Sequence, residues 1–281
     1  AGNEKLSLLK LRFSTGSLGT AGFLDSYQSL SILGNTPTAF GNGFLVPEDV
    51  ANADLTWQTN TETNYGIDLG FINNRIRFSA DYYTSDVQDM LINQSVSEVL
   101  GIPSIAVNRG DVTSSGLELE LDVKAISNEN FSWSVSANLS TVESEITSLG
   151  NLDELPRQVY GGPSGRGAEF RNYVGGEIGE MWGFETAGQV ESIYMEDPSR
   201  NVGYQSGLYY VVDQDGDGEI TYEGDYVKLG SATPDFFWGL SSNMNYKDFD
   251  FSFQFQGSQG AEVYNLDPIY WQSQFRNATG P

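Results

Sequence analysis

Residues 249–256 read Phe-Asp-Phe-Ser-Phe-Gln-Phe-Gln, which puts Phe249, Phe251, Phe253 and Phe255 at every second position with a polar residue after each. The same period of two runs through residues 117–124, where Leu117, Leu119, Leu121 and Val123 alternate with Glu118, Glu120, Asp122 and Lys124. It returns in 131–140, with Phe131, Trp133, Val135, Ala137 and Leu139 against serines and Asn138. Residues 65–71 and 76–82 carry it as well, and 236–246 is read as the strand preceding 249–256. A helix turns through 3.6 residues and would scatter these apolar side chains around its circumference; a strand gathers them on one face. The chain is all-β, with antiparallel strands.

One apolar face suits a soluble sandwich or a membrane barrel. Two features favour the barrel. Four phenylalanines on one strand fit contact with lipid and would crowd a thin sandwich core, and Tyr82, Tyr83, Phe131, Trp133, Phe236 and Tyr246 stand where interfacial aromatic girdles are expected. The connections also alternate in length. Residues 72–74, 125–130 and 247–248 are short turns, and Asn73 and Asn74 tolerate a positive φ. Between the hairpins lie stretches read as long loops, 84–115, 141–175 and 186–234. Outer-membrane barrels pair short periplasmic turns with long extracellular loops in this way, and a compact sandwich rarely holds several loops of that length. The short turns are expected at one end of the strands and the long loops at the other. About eight strands are expected, part of a larger barrel.

Composition removes most chemistry. The 281 residues include no histidine and no cysteine, so there is no disulfide framework, thiolate metal site, His-ligated zinc or His-dependent triad. A formal net charge of −24 repels a nucleic-acid backbone. The segment Gly161 to Gly167 is glycine-rich but lacks the Lys and Ser/Thr of a phosphate loop, and reads as a flexible loop. No carboxylate pair stands out among 38 acidic residues as a glycosidase site. The chain is not expected to be an enzyme.

One cluster does suggest an ion. Asp213, Asp215 and Asp217 alternate, Gly218 follows, and Ile220 stands two residues further on, as in the first half of an EF-hand loop. Alternate carboxylates can converge on a hard cation, Gly218 allows a sharp turn, and Glu219 can offer its backbone carbonyl. Gly224 stands where a bidentate Glu is usual, and Asp225 beside it is the better closing ligand. The expected ion is a structural Ca²⁺, clamping a long extracellular loop. An acidic turn without an ion is the competing reading.

Several segments resemble one family in order and spacing. They are Asp54-Leu55-Thr56-Trp57 with Asn64-Tyr65-Gly66-Ile67-Asp68; Asn73-Asn74-Arg75-Ile76 through Asp81-Tyr82-Tyr83; and Asn108-Arg109-Gly110 followed by Gly116-Leu117-Glu118. Gly176-Glu177-Ile178-Gly179 with Trp182-Gly183-Phe184, the Asp213–Ile220 loop, Pro234-Asp235-Phe236 and Tyr246 to Ser252 complete the series. Together they cover almost the whole chain and resemble SusC/RagA-like TonB-dependent transporters of the outer membrane. That resemblance implies a 22-stranded barrel with a plug domain, of which residues 1–281 would hold part of the barrel, without the plug or the closing C-terminal strands. Asn277 to Pro281 reads as the middle of a loop. The resemblance further implies import of an oligosaccharide or oligopeptide, a SusD-like surface lipoprotein as partner, and energy delivered by TonB through the plug region. The alternative from another class is a soluble, secreted, calcium-binding β-protein that binds glycans.

Overall fold

The computed structural model describes residues 5–21, 29–31, 33–36, 44–47, 51–97, 104–156, 158–160, 168–189, 195–197, 202–204 and 209–265. The glycine-rich segment 161–167 and the C-terminal residues 266–281 lie outside the described residues. Among the described residues there are eighteen strands, in chain order: β1 (Leu6–Thr20), β2 (Leu33–Thr36), β3 (Phe44–Pro47), β4 (Gln58–Phe71), β5 (Ile76–Ser95) and β6 (Ser104–Ser127). Then follow β7 (Phe131–Ser140), β8 (Glu143–Ser148), β9 (Gln158–Tyr160), β10 (Ala168–Phe170), β11 (Glu180–Phe184) and β12 (Thr186–Gln189). The last are β13 (Met195–Asp197), β14 (Val202–Tyr204), β15 (Tyr209–Val211), β16 (Tyr226–Ser231), β17 (Phe236–Tyr246) and β18 (Phe249–Gln259). The chain divides into two units: 1–156 with 173–177 and 234–260, and 157–172 with 178–233 and 261–281.

The first unit is built on an eight-stranded antiparallel sheet in the order β1-β4-β5-β6-β7-β17-β18, with β8 pairing β6. Its two faces differ as the alternation requires. On the apolar face, Ile67, Ala80, Leu119, Leu139 and Trp238 form one cross-strand row, and Leu69, Phe78, Leu121, Ala137, Leu240 and Phe255 form the next. No second sheet covers that face among the described residues: Leu11 is 75% exposed, Phe249 77% and Phe251 61%. Burial of apolar area, the ordinary stabiliser of a soluble sheet, is therefore missing here. The one polar intruder is masked, since Ser242 is buried and its Oγ accepts the Trp133 Nε1–H at 2.9 Å. β7 has 10 residues and β17 and β18 have 11 each, the length a tilted strand needs to cross a bilayer.

The short turns lie together. Ile72, Asn73, Asn74 and Lys247 all take left-handed φ, and the Lys247 N–H bonds to the Asn130 carbonyl at 3.1 Å while Lys124 N–H bonds to that of Arg75 at 2.8 Å. The turn expected at 125–130 shortens to 128–130, because β6 continues to Ser127 and Asn128 Oδ1 then caps the reversal by accepting the N–H groups of Asn130 and Phe131.

The expected long loops need correction. Residues 84–115 are mostly strand: β5 runs on to Ser95 and β6 starts at Ser104. Within 141–175, β8 pairs β6, and β9 and β10 pair one another; within 186–234 lie β12 to β16. The reason is a change of polarity along the strands. Phe13, Tyr65, Tyr82 and Leu117 form the last aromatic and aliphatic row of the apolar face, with Phe13 and Tyr65 rings 5.2 Å apart. The next row on that face is Thr15, Thr63, Thr84, Ser115 and Glu143. At this height the hydrophobic residues move to the opposite face, where Val112, Ile146 and Leu149 are buried with Met90, Leu152 and Leu155 against them. Tyr83 also belongs to the opposite face, packed over Gly116, and is no part of the girdle. Tyr82, Phe131 and Tyr246 do hold girdle positions, the last two with rings 6.4 Å apart at the turn end.

The second unit holds the sheet β16-β11-β10-β9 and the pairs β12-β15 and β13-β14. An aromatic cluster ties β11 to the start of β16: Tyr226 lies 5.1 Å from Phe184 and 5.1 Å from Tyr222, and stacks on Trp182 at 6.4 Å between centroids.

Candidate functional site

Among the described residues two sites carry chemistry, one in each unit. The polar face of the large sheet is the first. Arg12 on β1 reaches across two strands: Nε donates to Asp68 Oδ2 at 3.1 Å, Nη2 to Asp68 Oδ1 at 2.9 Å, and Nη1 to Asp81 Oδ1 at 2.7 Å. Nη2 also donates to Asp81 Oδ2 at 2.6 Å and to Ser79 Oγ at 3.0 Å, so the planar guanidinium is forked onto two carboxylates. Gly66 makes room for it, because a Cβ there would lie 2.7 Å from Arg12 Cζ. Beyond this network the face becomes acidic and hydroxylic. Ser79, Asp81, Glu118, Glu120, Asn138 and Ser140 line an open groove of about 390 Å³, and Ser136 Oγ donates to Asp122 at 2.5 Å. Such a wall can exchange hydrogen bonds with water or a polar solute. Arg12 escaped the sequence reading because β1 did.

The acidic loop is the second site. Asp213, Asp215 and Asp225 each bring a carboxylate oxygen within 4.8 Å of the others. Oxygen ligands 2.3–2.6 Å from one calcium ion stand at most about 5 Å apart, so the trio fits such a cation. The backbone holds the trio in place. Asp213 accepts the N–H groups of Gly216 at 2.7 Å and Gly218 at 3.0 Å, and both glycines take left-handed φ. Asp225 is fully buried and accepts Gln214 N–H and Thr221 N–H, both at 2.7 Å. Gly224 also gains a reason: any Cβ there would collide with Asp215 Oδ2, so the bare residue admits that carboxylate. Asp217 and Glu219 lie outside the trio, with Asp217 Oδ1 accepting the Glu219 N–H at 2.7 Å. A buried carboxylate costs free energy unless charge compensates it, and two N–H donors compensate Asp225 in part.

The family model described as "TonB dependent receptor-like, beta-barrel" matches residues 6–183. The chain belongs to that family. It is similar to TonB-dependent receptor P26 of Formosa agariphila, 32% identical over 269 residues, which cover 94% of this chain and 27% of that protein. It is similar to TonB-dependent receptor SusC of Bacteroides thetaiotaomicron, 28% identical over 270 residues, covering 92% of this chain and 26% of SusC. Among solved structures, the RagAB peptide importer in its "closed-closed" state matches 91% of this chain and 27% of its own, with a TM-score of 0.70 at 24% identity; that likeness is one of fold. The chain spans about a quarter of the length of the curated relatives it matches. The SusC/RagA-like resemblance, the all-β antiparallel architecture and the outer-membrane location therefore stand. The apolar face is the lipid face, the polar face is the lumen, and the short turns mark the periplasmic end. The reading as a soluble secreted protein finds no support in this family.

Proposed function

We propose that this chain forms part of the wall of a TonB-dependent importer that carries an oligosaccharide or oligopeptide across the outer membrane. The observation that supports the reading best is the lumen face, where Arg12, Asp68, Ser79, Asp81, Glu118 and Glu120 form a wetted, hydrogen-bonding wall behind a lipid-facing apolar band. The reading includes a SusD-like surface lipoprotein as partner, TonB acting through a plug region, and no catalytic step. The similarity to SusC and the fold shared with a peptide importer leave both substrate classes in the proposal. Disrupting the gene in its host tests it. Growth on one defined oligosaccharide or peptide source should fail and return on complementation, and the protein should co-purify with a surface lipoprotein. Unchanged growth and uptake on every such source would refute the importer reading.

The proposal extends to the acidic loop, where Asp213, Asp215 and Asp225 would hold a structural Ca²⁺, with Asp217 and the Glu219 carbonyl as further candidate ligands. The ion would supply positive charge and draw the loop's two ends together. Calorimetric titration of the whole protein with Ca²⁺ tests this.

A further inference from the structure

We propose that the outward face of β1, β4, β5, β6 and β8, just above the lipid band, docks into the sugar layer of the outer leaflet's glycolipids. The apolar band ends at the row Phe13, Tyr65, Tyr82 and Leu117, and aromatic rows of this kind mark the membrane–water boundary. One step further, about 7 Å along the strands, stand Thr15, Thr63, Thr84, Ser115 and Glu143. The following row is Ser17, Thr61, Asp86, Thr113 and Glu145. Both rows continue the lipid-contacting surface on the same face, at the end away from the short turns, so their occupant is the headgroup layer that begins where the acyl chains stop.

The chemistry of these rows selects the part of the headgroup. They hold hydroxyls and carboxylates and neither Lys nor Arg. Lipid phosphates need cations as partners, and three carboxylates on this face repel them. Sugar hydroxyls need donors and acceptors together, which Ser and Thr supply in every rotamer. The hydroxyls are already ordered as cross-strand pairs: Thr15 and Thr63 Oγ1 atoms are 3.1 Å apart, Thr61 Oγ1 donates to Ser17 Oγ at 3.2 Å, and Thr113 Oγ1 donates to Asp86 Oδ1 at 2.8 Å. Each such pair leaves lone pairs unused on both oxygens. Behind β5, β6 and β8 the opposite face at this height carries the Val112–Ile146–Leu149 core, which backs that part of the ladder.

The test uses the whole protein in vesicles of phosphatidylethanolamine and phosphatidylglycerol containing lipopolysaccharide with its core sugars, lipid A, or neither. Thermal unfolding and native mass spectrometry of retained lipid are read with and without EDTA. The sugar-bearing lipid should raise the melting temperature above the lipid A sample, and that difference should persist in EDTA. It should be lost in Thr63→Val/Thr84→Val/Ser115→Ala and kept in Thr63→Ser/Thr84→Ser. Four outcomes would overturn the proposal: equal effects of the two lipids; a difference that EDTA abolishes, which means cation-bridged phosphate; no lipid effect, which means a face in open water; or a valine variant that behaves like its parent. Transport is not read, so failure here leaves the importer reading untouched.

Discussion

Asn108 grips the backbone of Thr56 from both sides: its Oδ1 accepts the Thr56 N–H at 2.9 Å and its Nδ2 donates to the Thr56 carbonyl at 2.9 Å. The amide side chain thus replaces one rung of a β-ladder, and Nδ2 also donates to the Asp89 carbonyl at 2.7 Å, at a left-handed residue where the β5–β6 register shifts. Asn108 thereby joins two segments far apart in the chain, Asp54–Trp57 and Asn108–Gly110. Asn108→Ala should cost about 1–3 kcal/mol, because it leaves the Thr56 pair without protein partners. Hydrogen exchange is expected to accelerate at residues 54–57 and to stay slow at 65–71. Exchange unchanged at 54–57 would show that the clamp contributes nothing there.

Gly66 lies beneath the Arg12 guanidinium, whereas a Cβ on Gly16 meets nothing within 4 Å. Gly66→Ala should therefore loosen β1 from β4, and Gly16→Ala should be neutral or add up to about 1 kcal/mol, since it only lowers the entropy of the unfolded chain. Unfolding in urea from lipid vesicles measures both. Equal midpoints for the two variants would mean that the Arg12 network does not depend on close approach.

Lipid exposure can be scanned along β18. Phe253 stands mid-strand on the lipid face, with ring centroids 5.9 Å from Phe251 and 5.5 Å from Phe255, and Phe249 stands at the turn end. An arginine near the bilayer midplane of such a barrel costs about 2–4 kcal/mol, falling to about 0–1 near the interface. Phe253→Arg should therefore destabilise strongly, Phe249→Arg weakly, and Gln254→Arg on the lumen face little. The same vesicle unfolding reads the ranking. A Gln254→Arg penalty equal to that of Phe253→Arg would reverse the assignment of faces.

How much the sequence showed follows from where each strand meets a boundary. Residues 65–71, 76–82, 117–124 and 131–140 were legible because lipid lies on one side and water on the other, which forces strict alternation. Above Tyr65 and Tyr82 that contrast is gone: Thr61, Thr63 and Thr84 face outward while Val87 and Val112 turn inward, so β5 and β6 continue without the pattern that announced them. β1 was hidden by a different cause. Leu8 and Leu9 are consecutive, and the register shift between Leu6 and Leu8 breaks the alternation where it begins. Tyr83 was misplaced because Tyr82 and Tyr83 are adjacent and only the register decides which one faces lipid. In the acidic loop, spacing brought out the aspartates. That Gly224 yields its place to Asp215 depends on a close approach that no spacing rule contains.

The aspartates of the acidic loop divide by what each carboxylate already does. Asp213, Asp215 and Asp225 converge, and Asp213 and Asp225 each also hold two backbone N–H groups, so their replacement removes both a ligand and a scaffold. Among the described residues Asp215 Oδ1 accepts only the Asp217 N–H, and the other oxygen packs against Gly224. Asp215→Asn keeps the shape and the acceptor while removing one unit of charge. It therefore isolates the electrostatic part, and Ca²⁺ affinity should fall roughly tenfold or more, since ligand charge is what tunes oxygen cages of this type. Asp217→Asn should have a smaller effect, because its carboxylate lies outside the trio and serves the Glu219 N–H, which an Asn Oδ1 accepts equally well. Calorimetric titration of the whole protein gives both affinities. A structural role for the ion would have its own readout: Tyr222 and Tyr226 pack on Phe184 beside Asp225, so binding should change aromatic emission and protect residues 221–226 from exchange. Equal loss in Asp215→Asn and Asp217→Asn would mean that the loop rearranges around its ion, and no heat of binding in the parent protein would leave an acidic turn held by its own backbone.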